Sequence, residues 1–575
     1  MIDFRNINTL WGSVLVETLY RCGVSMAVVC PGSRSTPLTV AFANHPQITA
    51  IPILDERSAS FFALGRAKKT GVPTVLVCTS GTAGANFYPA VIEAHQSNVP
   101  LIILTADRPA ELRNCHAGQA IDQLKLYGNY PNWQCELALP EANLAMLRYL
   151  RQTVIQAYQQ SLYPYLGVVH INLPFRKPLA PVEQSLPDIE RLLVNFFDAV
   201  KVSFPTRFVP HLPWDSWRGK SGIIIAGLAQ SQNPKSYCKA IALLAEHLSF
   251  PVFAEALSPL RNYADLNPYL VSTYDAILHQ PKARQLIPEV VIQVGELPTS
   301  KQLRNWLEDI GVERWIIDPK VDNFDPLHGR TVHLQVSIEQ AVAQLEVKHN
   351  PPSPYCQQWL ELEAMTRNNI DNALKSMAQI REAKTAWLIS QTLPLGTPIF
   401  LANSMSVRYA EYFWQPNQNE IVPYFSRGAN GIDGTLSTAL GIAYEDYGVL
   451  LTGDLALLHD TNGFLTASKF KGHLTIILIN NHGGGIFEIL PIADFSPFEE
   501  YFATPQKVNL AKLCAAYNVE HQQIKDWQHL TTLLSNLPNT GIRVLELLCD
   551  RQSDAAWLQH NLALFGKSLK DSDLI

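Results

Sequence analysis

The chain has 575 residues, of which 47% are hydrophobic and 17% are charged, and its formal net charge is −6. This length allows about three domains, and the negative charge excludes the basic surface with which proteins bind nucleic acid. No apolar run reaches the ~18 residues of a membrane span, and residues 1–23 lack the layout of a signal peptide. Nine cysteines without a CxxC pair predict reduced thiols in a cytoplasmic protein rather than a disulfide scaffold or a zinc site.

Strand-like runs and helix-like segments alternate in three blocks, which we predict to be domains at 1–182, 190–350 and 370–575. Proline-rich stretches at 175–188 and 348–358 separate the blocks. The predicted strands are MAVVCPG, ITAIPILDE, TVLVCTSG, LIILTADRP and YLGVVHINLP in the first block, GIIIAGLA, PVFAEA, VVIQVGE and RWIIDP in the second, and TPIFLANS, YGVLLTGD, LTIILINN and IRVLELL in the third. This pattern is typical of an α/β protein with three doubly wound parallel sheets.

Two acidic residues end an apolar run in the first block. Asp55 and Glu56 close ITAIPILDE, and a helix is predicted to begin near Ser58. Acids in this position are usually solvated or cap the helix. The functional alternative is that Glu56 lies against a cofactor ring, where burial would raise its pKa.

Cationic side chains cluster beside predicted turns that follow strands. A single arginine in such a place is more often part of a surface ion pair, but a group of them favours a substrate with several carboxylates. The residues concerned are Arg34, Arg108, Arg408 and Arg427, with Lys301 in the middle block. In CHAGQAID, Gln119 is a stronger candidate than His116 for a substrate hydrogen bond, although either residue could simply satisfy the loop.

A glycine-rich loop, SRGANGIDG at 426–434, precedes a predicted helix. Gly428, Gly431 and Gly434 would permit close backbone approach to a ligand, and the following helix would direct free N–H groups at an anion. The alternative is a tight turn ahead of a core helix.

Two polar pairs end apolar strands of the third block: Gly453-Asp454 closes VLLTGD, and Asn480-Asn481 closes LTIILINN. The intervening segment, with Asp460 and Thr461 as possible caps, predicts a helix. Strand–helix–strand connectivity places Asp454 and Asn481 at one carboxyl edge of a parallel sheet, where ligands bind. A carboxylate, an amide oxygen and a backbone carbonyl suit Mg²⁺ holding a diphosphate. Gly483 could supply that carbonyl, or the glycines there could form only a flexible loop.

With these segments in view, the chain resembles the 2-succinyl-5-enolpyruvyl-6-hydroxy-3-cyclohexene-1-carboxylate (SEPHCHC) synthases, which depend on thiamine diphosphate (ThDP) and act in menaquinone and phylloquinone biosynthesis. The resemblance spans the whole chain and is carried by CPGSRSTPL, DERSASFFALG, TADRPAELRNCHAGQAIDQ, HINLPF, SRGANGIDG, GDLALLHD and NNHGGGIF. Leu455 stands where many ThDP enzymes have glycine, and SEPHCHC synthases accept a bulkier residue there.

The resemblance implies a pyrimidine-binding domain, a central domain and a diphosphate-binding domain, with active sites at the subunit interface of a homodimer or homotetramer. It implies decarboxylation of 2-oxoglutarate and 1,4-addition of the resulting carbanion to isochorismate. Glu56 is the implied catalytic residue, and Asp454, Asn481 and Gly483 would bind Mg²⁺ or Mn²⁺. The other implied cofactor-binding residues are Ser404, Gly428, Asn430, Gly431, Ile432, Gly453, Leu455 and Ile486. The implied substrate-binding residues are Ser33, Arg34, Arg108, Gln119, Lys301, Asn403, Arg408, Arg427, Ile486 and Phe487.

Two other interpretations stay open. The chain could be another ThDP-dependent carboligase or decarboxylase acting on a different 2-oxo acid, although relatives with small neutral acceptors would not need this group of arginines. It could also be a catalytically silent scaffold with the same fold, against which the intact Glu56, Asp454 and Asn481 argue.

Overall fold

The computed structural model describes residues 2–187, 194–204, 212–343, 345 and 351–567. These residues form two compact units. Unit 1 comprises Met1–Thr206, Ser426–Tyr444 and His459–Phe470, and unit 2 comprises Arg207–Phe425, Glu445–Leu458 and Lys471–Ile575. Within the described segments, no helix combines the length and the apolarity needed to cross a membrane.

Unit 1 contains a six-stranded parallel sheet with the strand order β2-β1-β3-β4-β6-β5. Its strands are β1 Met26–Val29, β2 Thr49–Pro52, β3 Thr74–Cys78, β4 Leu101–Asp107, β5 Trp133–Glu136 and β6 Val168–Pro174. Its helices are α1 Ile7–Cys22, α2 Thr36–Ala43, α3 Glu56–Thr70, α4 Thr82–Asn86, α5 Tyr88–Gln96 and α6 Leu144–Gln160. Alternate residues of the central strands pack with α1, α2 and α6 in one apolar core, because successive strand side chains point to opposite faces.

The first sheet of unit 2 has the order β12-β11-β10-β7-β8-β9 and is also parallel. Its strands are β7 Gly222–Ala226, β8 Val252–Ala254, β9 Leu270–Val271, β10 Val290–Val294, β11 Arg314–Ile317 and β12 Thr331–Leu334. The accompanying helices are α7 Trp214–Trp217, α8 Pro234–Leu248, α9 Tyr274–Ile277, α10 Pro281–Arg284, α11 Lys301–Ile310, α12 Ile338–Val342 and α13 Pro354–Ser376. Separate apolar cores cover its two faces, as a doubly wound sheet requires.

The second sheet of unit 2 has the order β14-β13-β15-β16-β18-β17. Its strands are β13 Pro398–Leu401, β14 Val422–Tyr424, β15 Tyr447–Gly453, β16 His473–Asn480, β17 Glu520–Gln523 and β18 Gly541–Leu548. The remaining helices are α14 Glu382–Thr392, α15 Met405–Phe413, α16 Thr435–Ala443, α17 Asp454–His459, α18 Leu510–Ala516, α19 Trp527–Ser535 and α20 Arg551–Phe565. Of these helices, α16 lies in unit 1.

The three parallel sheets confirm the predicted fold class. Counted along the chain, the first and third sheets share the order 2-1-3-4-6-5, whereas the middle sheet has the order 3-2-1-4-5-6. In orders of this kind the ligand crevice lies at the carboxyl ends of the strands, where the chain reverses direction across the sheet. The domain boundaries stay predictions. The predicted limits at 190 and 350 lie outside the described residues. The same is true of residue 188 in the first proline-rich stretch and of residues 348–350 in the second.

The helix predicted between Asp454 and Asn481 is only partly correct. The structure places the six-residue α17 directly after β15 and a 3₁₀ segment at Thr461–Lys469. Asp460 precedes that segment but makes no side-chain cap to it. Its carboxylate instead accepts hydrogen bonds from the backbone N and the Oγ of Ser437 at the start of α16.

Within unit 1, α3 and α16 cross at two glycines. A Cβ added to Gly65 would lie 2.0 Å from the carbonyl oxygen of Thr438, and one added to Gly441 would lie 2.0 Å from the carbonyl oxygen of Phe62. The two backbones therefore approach more closely than any larger residue at these positions would allow.

Candidate active site

The carboxyl ends of β15 and β16 in unit 2 bring Asp454 close to the loop that follows Asn481. The side chain of Asp454 is 4% exposed. Its Oδ1 accepts a hydrogen bond from the N of Leu455 at 2.8 Å, and its Oδ2 accepts one from the N of Gly483 at 3.0 Å. Burial raises the pKa of Asp454, and these two backbone donors oppose the rise.

Asn481 presents an amide oxygen at the same edge of the sheet. Its Nδ2 donates to Oε1 of Glu382 at 2.7 Å. Its Oδ1 is buried and has no hydrogen-bond partner among the described residues. A buried acceptor without a partner carries a desolvation cost, which a bound ligand would remove.

Gly483 has φ +135°, and a Cβ there would lie 2.4 Å from the carbonyl oxygen of Ala503, so only glycine fits. Its carbonyl accepts from the N of Gly485 at 3.0 Å, and a carbonyl oxygen has a second lone pair for another partner.

These donors fit a hard cation. One carboxylate, one amide oxygen without a partner and one backbone carbonyl are the oxygen ligands preferred by Mg²⁺ and Mn²⁺. Among the described residues, no group of three or more His, Cys, Asp or Glu side chains could hold a metal ion. The three oxygens of the candidate site fill only part of the six-ligand shell of Mg²⁺, which leaves the other positions for water or a bound anion.

The segment after Gly483 carries Ile486 and Phe487 in a short 3₁₀ turn, Gly485–Ile489, where both are half-buried. Arg551 at the start of α20 holds this segment. Its Nε donates to Oε1 of Glu488 at 2.6 Å, and its Nη1 donates to the carbonyl of His482 at 3.0 Å.

The connection from β13 to α15 and the first turn of α15 carry three further predicted residues, Asn403, Ser404 and Arg408. Asn403 is buried, and Ser404 has φ +70°, which is a strained backbone conformation for a serine. Nη1 of Arg408 donates to the carbonyl of Ser404 at 2.5 Å, and burial lowers the pKa of this guanidinium.

Gly453 has open space where a Cβ would lie, and Leu455 is half-buried. Lys301 is exposed as the first residue of α11, at the other sheet of unit 2.

Glu56 lies in unit 1 as the first residue of α3, and Asp55 is the N-cap. One carboxylate oxygen of Asp55 accepts from the N of Ser58 at 3.0 Å and the other from Nδ2 of Asn462 at 2.7 Å. The capping role therefore belongs to Asp55, while Glu56 is half-buried. Burial raises the pKa of the Cys30 and Cys78 thiols, and the charge of Glu56 adds to the rise. Glu56 therefore lies near the carboxyl ends of β1 and β3, where these two cysteines are found.

Arg34 and Arg108 form a cationic pair in unit 1. Arg34 is 5% exposed, and its Nη1 donates to the carbonyl of Phe175 at 2.7 Å. Burial lowers the pKa of Arg34, the charge of Arg108 lowers it further, and the charge of Asp107 opposes the fall. The Nε of Arg34 is buried without a hydrogen-bond partner among the described residues. A carboxylate bound here would relieve both the repulsion and the missing hydrogen bond.

The loop around Arg108 carries the predicted substrate glutamine. Nε and Nη2 of Arg108 donate to the carbonyl of Gly118 at 3.0 and 2.6 Å. Gln119 is exposed with φ +57°, and a Cβ built on Gly81 would lie 3.6 Å from its Cβ. Ser33 and His116 are exposed.

The glycine loop at 426–434 is held by a residue that the sequence does not reveal. Glu93 of α5 accepts from the N of Gly428 at 3.2 Å and from the N of Ala429 at 2.7 Å. The Ser437 N–H at the start of α16 is occupied by Asp460, so the expected free N–H groups are partly committed within the protein. The half-buried Arg427, Gly431 and Ile432 and the exposed Asn430 (φ +61°) lie in the same loop.

Comparison with known proteins identifies the family. Models of the "Thiamine pyrophosphate enzyme, N-terminal TPP binding domain", the "Middle domain of thiamine pyrophosphate" and the "Thiamine pyrophosphate enzyme, C-terminal TPP binding domain" match residues 11–126, 200–401 and 403–546. The chain is 62% identical to a SEPHCHC synthase of Gloeothece citriformis, covering 98% of this chain and 99% of that protein. It is 58% identical to the synthase of Trichodesmium erythraeum over 98% and 99% of the two chains.

The chain belongs to the SEPHCHC synthase family. It is accordingly a ThDP-dependent enzyme with small-molecule substrates, as the sequence predicted. Among solved structures, benzoylformate decarboxylase from Polynucleobacter necessarius has a TM-score of 0.68 at 17% identity, covering 94% of this chain and 98% of that one. At that identity the likeness concerns the fold alone.

Asp460 is predicted to cap the segment that follows it but accepts hydrogen bonds from Ser437 instead. Two other buried carboxylates of this SEPHCHC synthase family member, Glu93 and Glu382, are not predicted from the sequence. Each lies far along the chain from its partner, and each sits in or beside a helix, where acids are usually solvated. A sequence signal for them would require knowledge of contacts between distant residues.

Proposed function

We propose that the protein catalyses the decarboxylation of 2-oxoglutarate and the 1,4-addition of the remaining succinyl group to isochorismate, giving SEPHCHC and CO₂ in menaquinone or phylloquinone biosynthesis. The observation that carries this proposal is the similarity to SEPHCHC synthases over nearly the whole chain. When bound, ThDP supplies the carbon nucleophile and accepts the electron pair left by the departing CO₂. The protein contributes binding, orientation and proton placement.

The cofactor's diphosphate would be held in unit 2. We propose that Asp454, the Oδ1 of Asn481 and the carbonyl of Gly483 bind Mg²⁺ or Mn²⁺, because Asp454 contacts Gly483 and the Asn481 oxygen has no hydrogen-bond partner among the described residues. Cofactor contacts from Ser404, Gly453, Leu455 and Ile486, and from Gly428, Asn430, Gly431 and Ile432 of the glycine loop, complete this part of the proposal.

Glu56 would hold a proton at the aminopyrimidine nitrogen of ThDP. Its position at the start of α3 near the ends of β1 and β3 supports this role, since that is where the sheet order reverses. Asp55 is committed to capping α3, which leaves Glu56 available for the cofactor.

Both substrates are dicarboxylates, and the cationic side chains would orient them. Arg34 and Arg108 support this proposal most directly, because their mutual repulsion is relieved by an anion. Further contacts are proposed for Ser33, Gln119, Lys301, Asn403, Arg408, Arg427, Ile486 and Phe487.

We also propose a homodimer or homotetramer whose active sites form at the subunit interface, and a cytoplasmic location. All nine cysteines are free, which is typical of proteins in a reducing compartment.

The function is tested by supplying purified protein with ThDP, Mg²⁺ and 2-oxoglutarate, with and without isochorismate, and following CO₂ and the adduct by mass spectrometry. We expect the adduct to form only when isochorismate is present. Equal CO₂ release without any adduct would instead assign the chain to a decarboxylase or to a carboligase with another acceptor. Failure to bind ThDP in the presence of Mg²⁺ would favour a silent scaffold.

A further inference from the structure

Two adjacent asparagines at the end of β16 are each held by a buried carboxylate. Nδ2 of Asn480 donates to Oε1 of Glu546 on β18 at 2.6 Å, and Nδ2 of Asn481 donates to Oε1 of Glu382 on α14 at 2.7 Å. Of the two asparagines, only Asn481 belongs to the proposed cation site. The bond between Asn480 and Glu546 therefore serves as a control for the bond between Asn481 and Glu382.

The partner of the Asn481 nitrogen decides what its oxygen can do. A side-chain amide has a donor end and an acceptor end, and the Glu382 carboxyl accepts from the donor end through its Oε1. While Glu382 holds Nδ2, the amide cannot turn its NH₂ group towards a cation. The buried Oδ1, without a partner among the described residues, is then the atom left to face a ligand.

The residue before Glu382 ties the start of α14 to α20. Nη1 of Arg381 donates to Oδ1 of Asp554 at 3.1 Å. Burial raises the pKa of the Glu382 carboxyl, and the charges of Asp554 and Asp454 add to the rise.

We propose that Glu382 is a positioning residue of the cation site, which orients the Asn481 amide so that its oxygen binds the metal. The inference rests on the proposed function of Asp454, Asn481 and Gly483. Outer partners of this kind typically change metal affinity about 10–100-fold when they are removed.

The test measures Mn²⁺ binding by electron paramagnetic resonance in the presence of ThDP, without turnover. Glu382→Leu, which removes the acceptor, should raise the Mn²⁺ dissociation constant about 10–100-fold. Glu382→Gln, which keeps the shape but allows donation to Oδ1 of Asn481, should have an effect between those of wild type and Glu382→Leu. Glu546→Gln, the matched change at Asn480, should leave Mn²⁺ affinity unchanged.

Near-ultraviolet circular dichroism identifies variants that fail to fold. If Glu382→Leu does not fold, Glu382→Gln decides, and wild-type Mn²⁺ affinity in a folded Glu382→Gln protein overturns the inference. An equal loss of affinity in Glu546→Gln also overturns it, because the effect would then be general. A measurement on Asp454→Ala distinguishes an error in the proposed cation site from an error in the proposed role of Glu382. If Asp454→Ala and the wild type bind Mn²⁺ equally, the proposed cation site is wrong. If Asp454→Ala weakens binding and the Glu382 variants do not, only the positioning role fails.

Discussion

At the scale of single residues, neighbouring carboxylates have separate roles. Asp55 caps α3 and bonds to Asn462, whereas Glu56 one position later is half-buried near the ends of two strands. The sequence places both acids after a strand but does not say which of them caps. The hydrogen bonds of Asp55 resolve this point.

Replacement of Glu56 tests its proposed proton-holding role. Glu56→Gln should bind ThDP with near-wild-type affinity but should slow hydrogen–deuterium exchange at the thiazolium C2 by about 10²-fold or more, because a neutral amide cannot supply the required proton. Nuclear magnetic resonance of the quenched cofactor measures this rate. Asp55→Asn is the control, since asparagine also caps helices well and should leave the exchange rate unchanged. Wild-type exchange in Glu56→Gln would remove Glu56 from the mechanism.

His170 gives unit 1 a defined acid sensitivity. It is 2% exposed on β6, within 2.8 Å of Oγ1 of Thr105, and burial lowers its pKa to about 4. The unfolded chain binds the proton first, near the ordinary pKa of 6.5. Stability should therefore fall as pH drops through about 6.5 and level off near 4.

His170→Gln should abolish this component. Between pH 7 and pH 5 the wild type should lose about 2 kcal/mol of unfolding free energy relative to the variant. Urea unfolding of both proteins at the two pH values measures the difference. An identical pH dependence would show that His170 is already charged in the folded protein or accessible to solvent.

Residues of the candidate site differed in how far the sequence could predict them. Asp454 and Asn481 were predictable because each directly follows a long buried apolar strand, and strand ends of a parallel sheet meet at one edge. Glu382 was not, since its partner Asn481 is 99 residues away. No local pattern distinguishes such an acid from a solvated one at the first turn of a helix.

At the scale of elements, the interior strands of all three sheets were predicted, whereas five of the six edge strands were missed. The strands absent from the prediction are β5, β9, β12, β14 and β17. Each lies at or beside the edge of its sheet, and residues such as Glu520–Gln523 are largely accessible. A short, half-exposed strand has no continuous apolar run, so periodicity gives no signal. The sequence predicts an α-helix where the structure has a 3₁₀ segment, Thr461–Lys469, because the residues at its ends are typical of α-helix caps.

The crossing of α3 and α16 leaves no room for a Cβ at either of its two glycines. Gly441→Ala should destabilise unit 1 by about 1–3 kcal/mol, because the new methyl group meets the carbonyl of Phe62 and forces the helices apart. Thermal and urea unfolding measure the change. Gly118→Ala is the control, since nothing lies within 4 Å of its added Cβ. Equal stability of Gly441→Ala and wild type would mean that the helices can separate without cost.

At the scale of the whole molecule, the proposed subunit-interface site can be tested by mixing inactive proteins. Glu56→Gln and Asp454→Ala should each be inactive alone. Refolded or co-expressed together, they should regain a fraction of wild-type activity, because a mixed dimer would contain one site with both residues intact. Steady-state adduct formation measures the recovery, and two differently tagged copies of Glu56→Gln are the control. Absence of recovery in a mixed dimer shown to form would place Glu56 and Asp454 of each site in the same subunit.

The shared 2-1-3-4-6-5 order of two sheets has an evolutionary consequence. Such internal symmetry is the pattern that duplication of an ancestral segment would leave. Asn481 directly follows the fourth strand of one copy, and Arg108 directly follows the fourth strand of the other. At equivalent positions of the two sheets, the proposed function therefore uses an amide oxygen for a positive ion in one and a guanidinium for a negative group in the other.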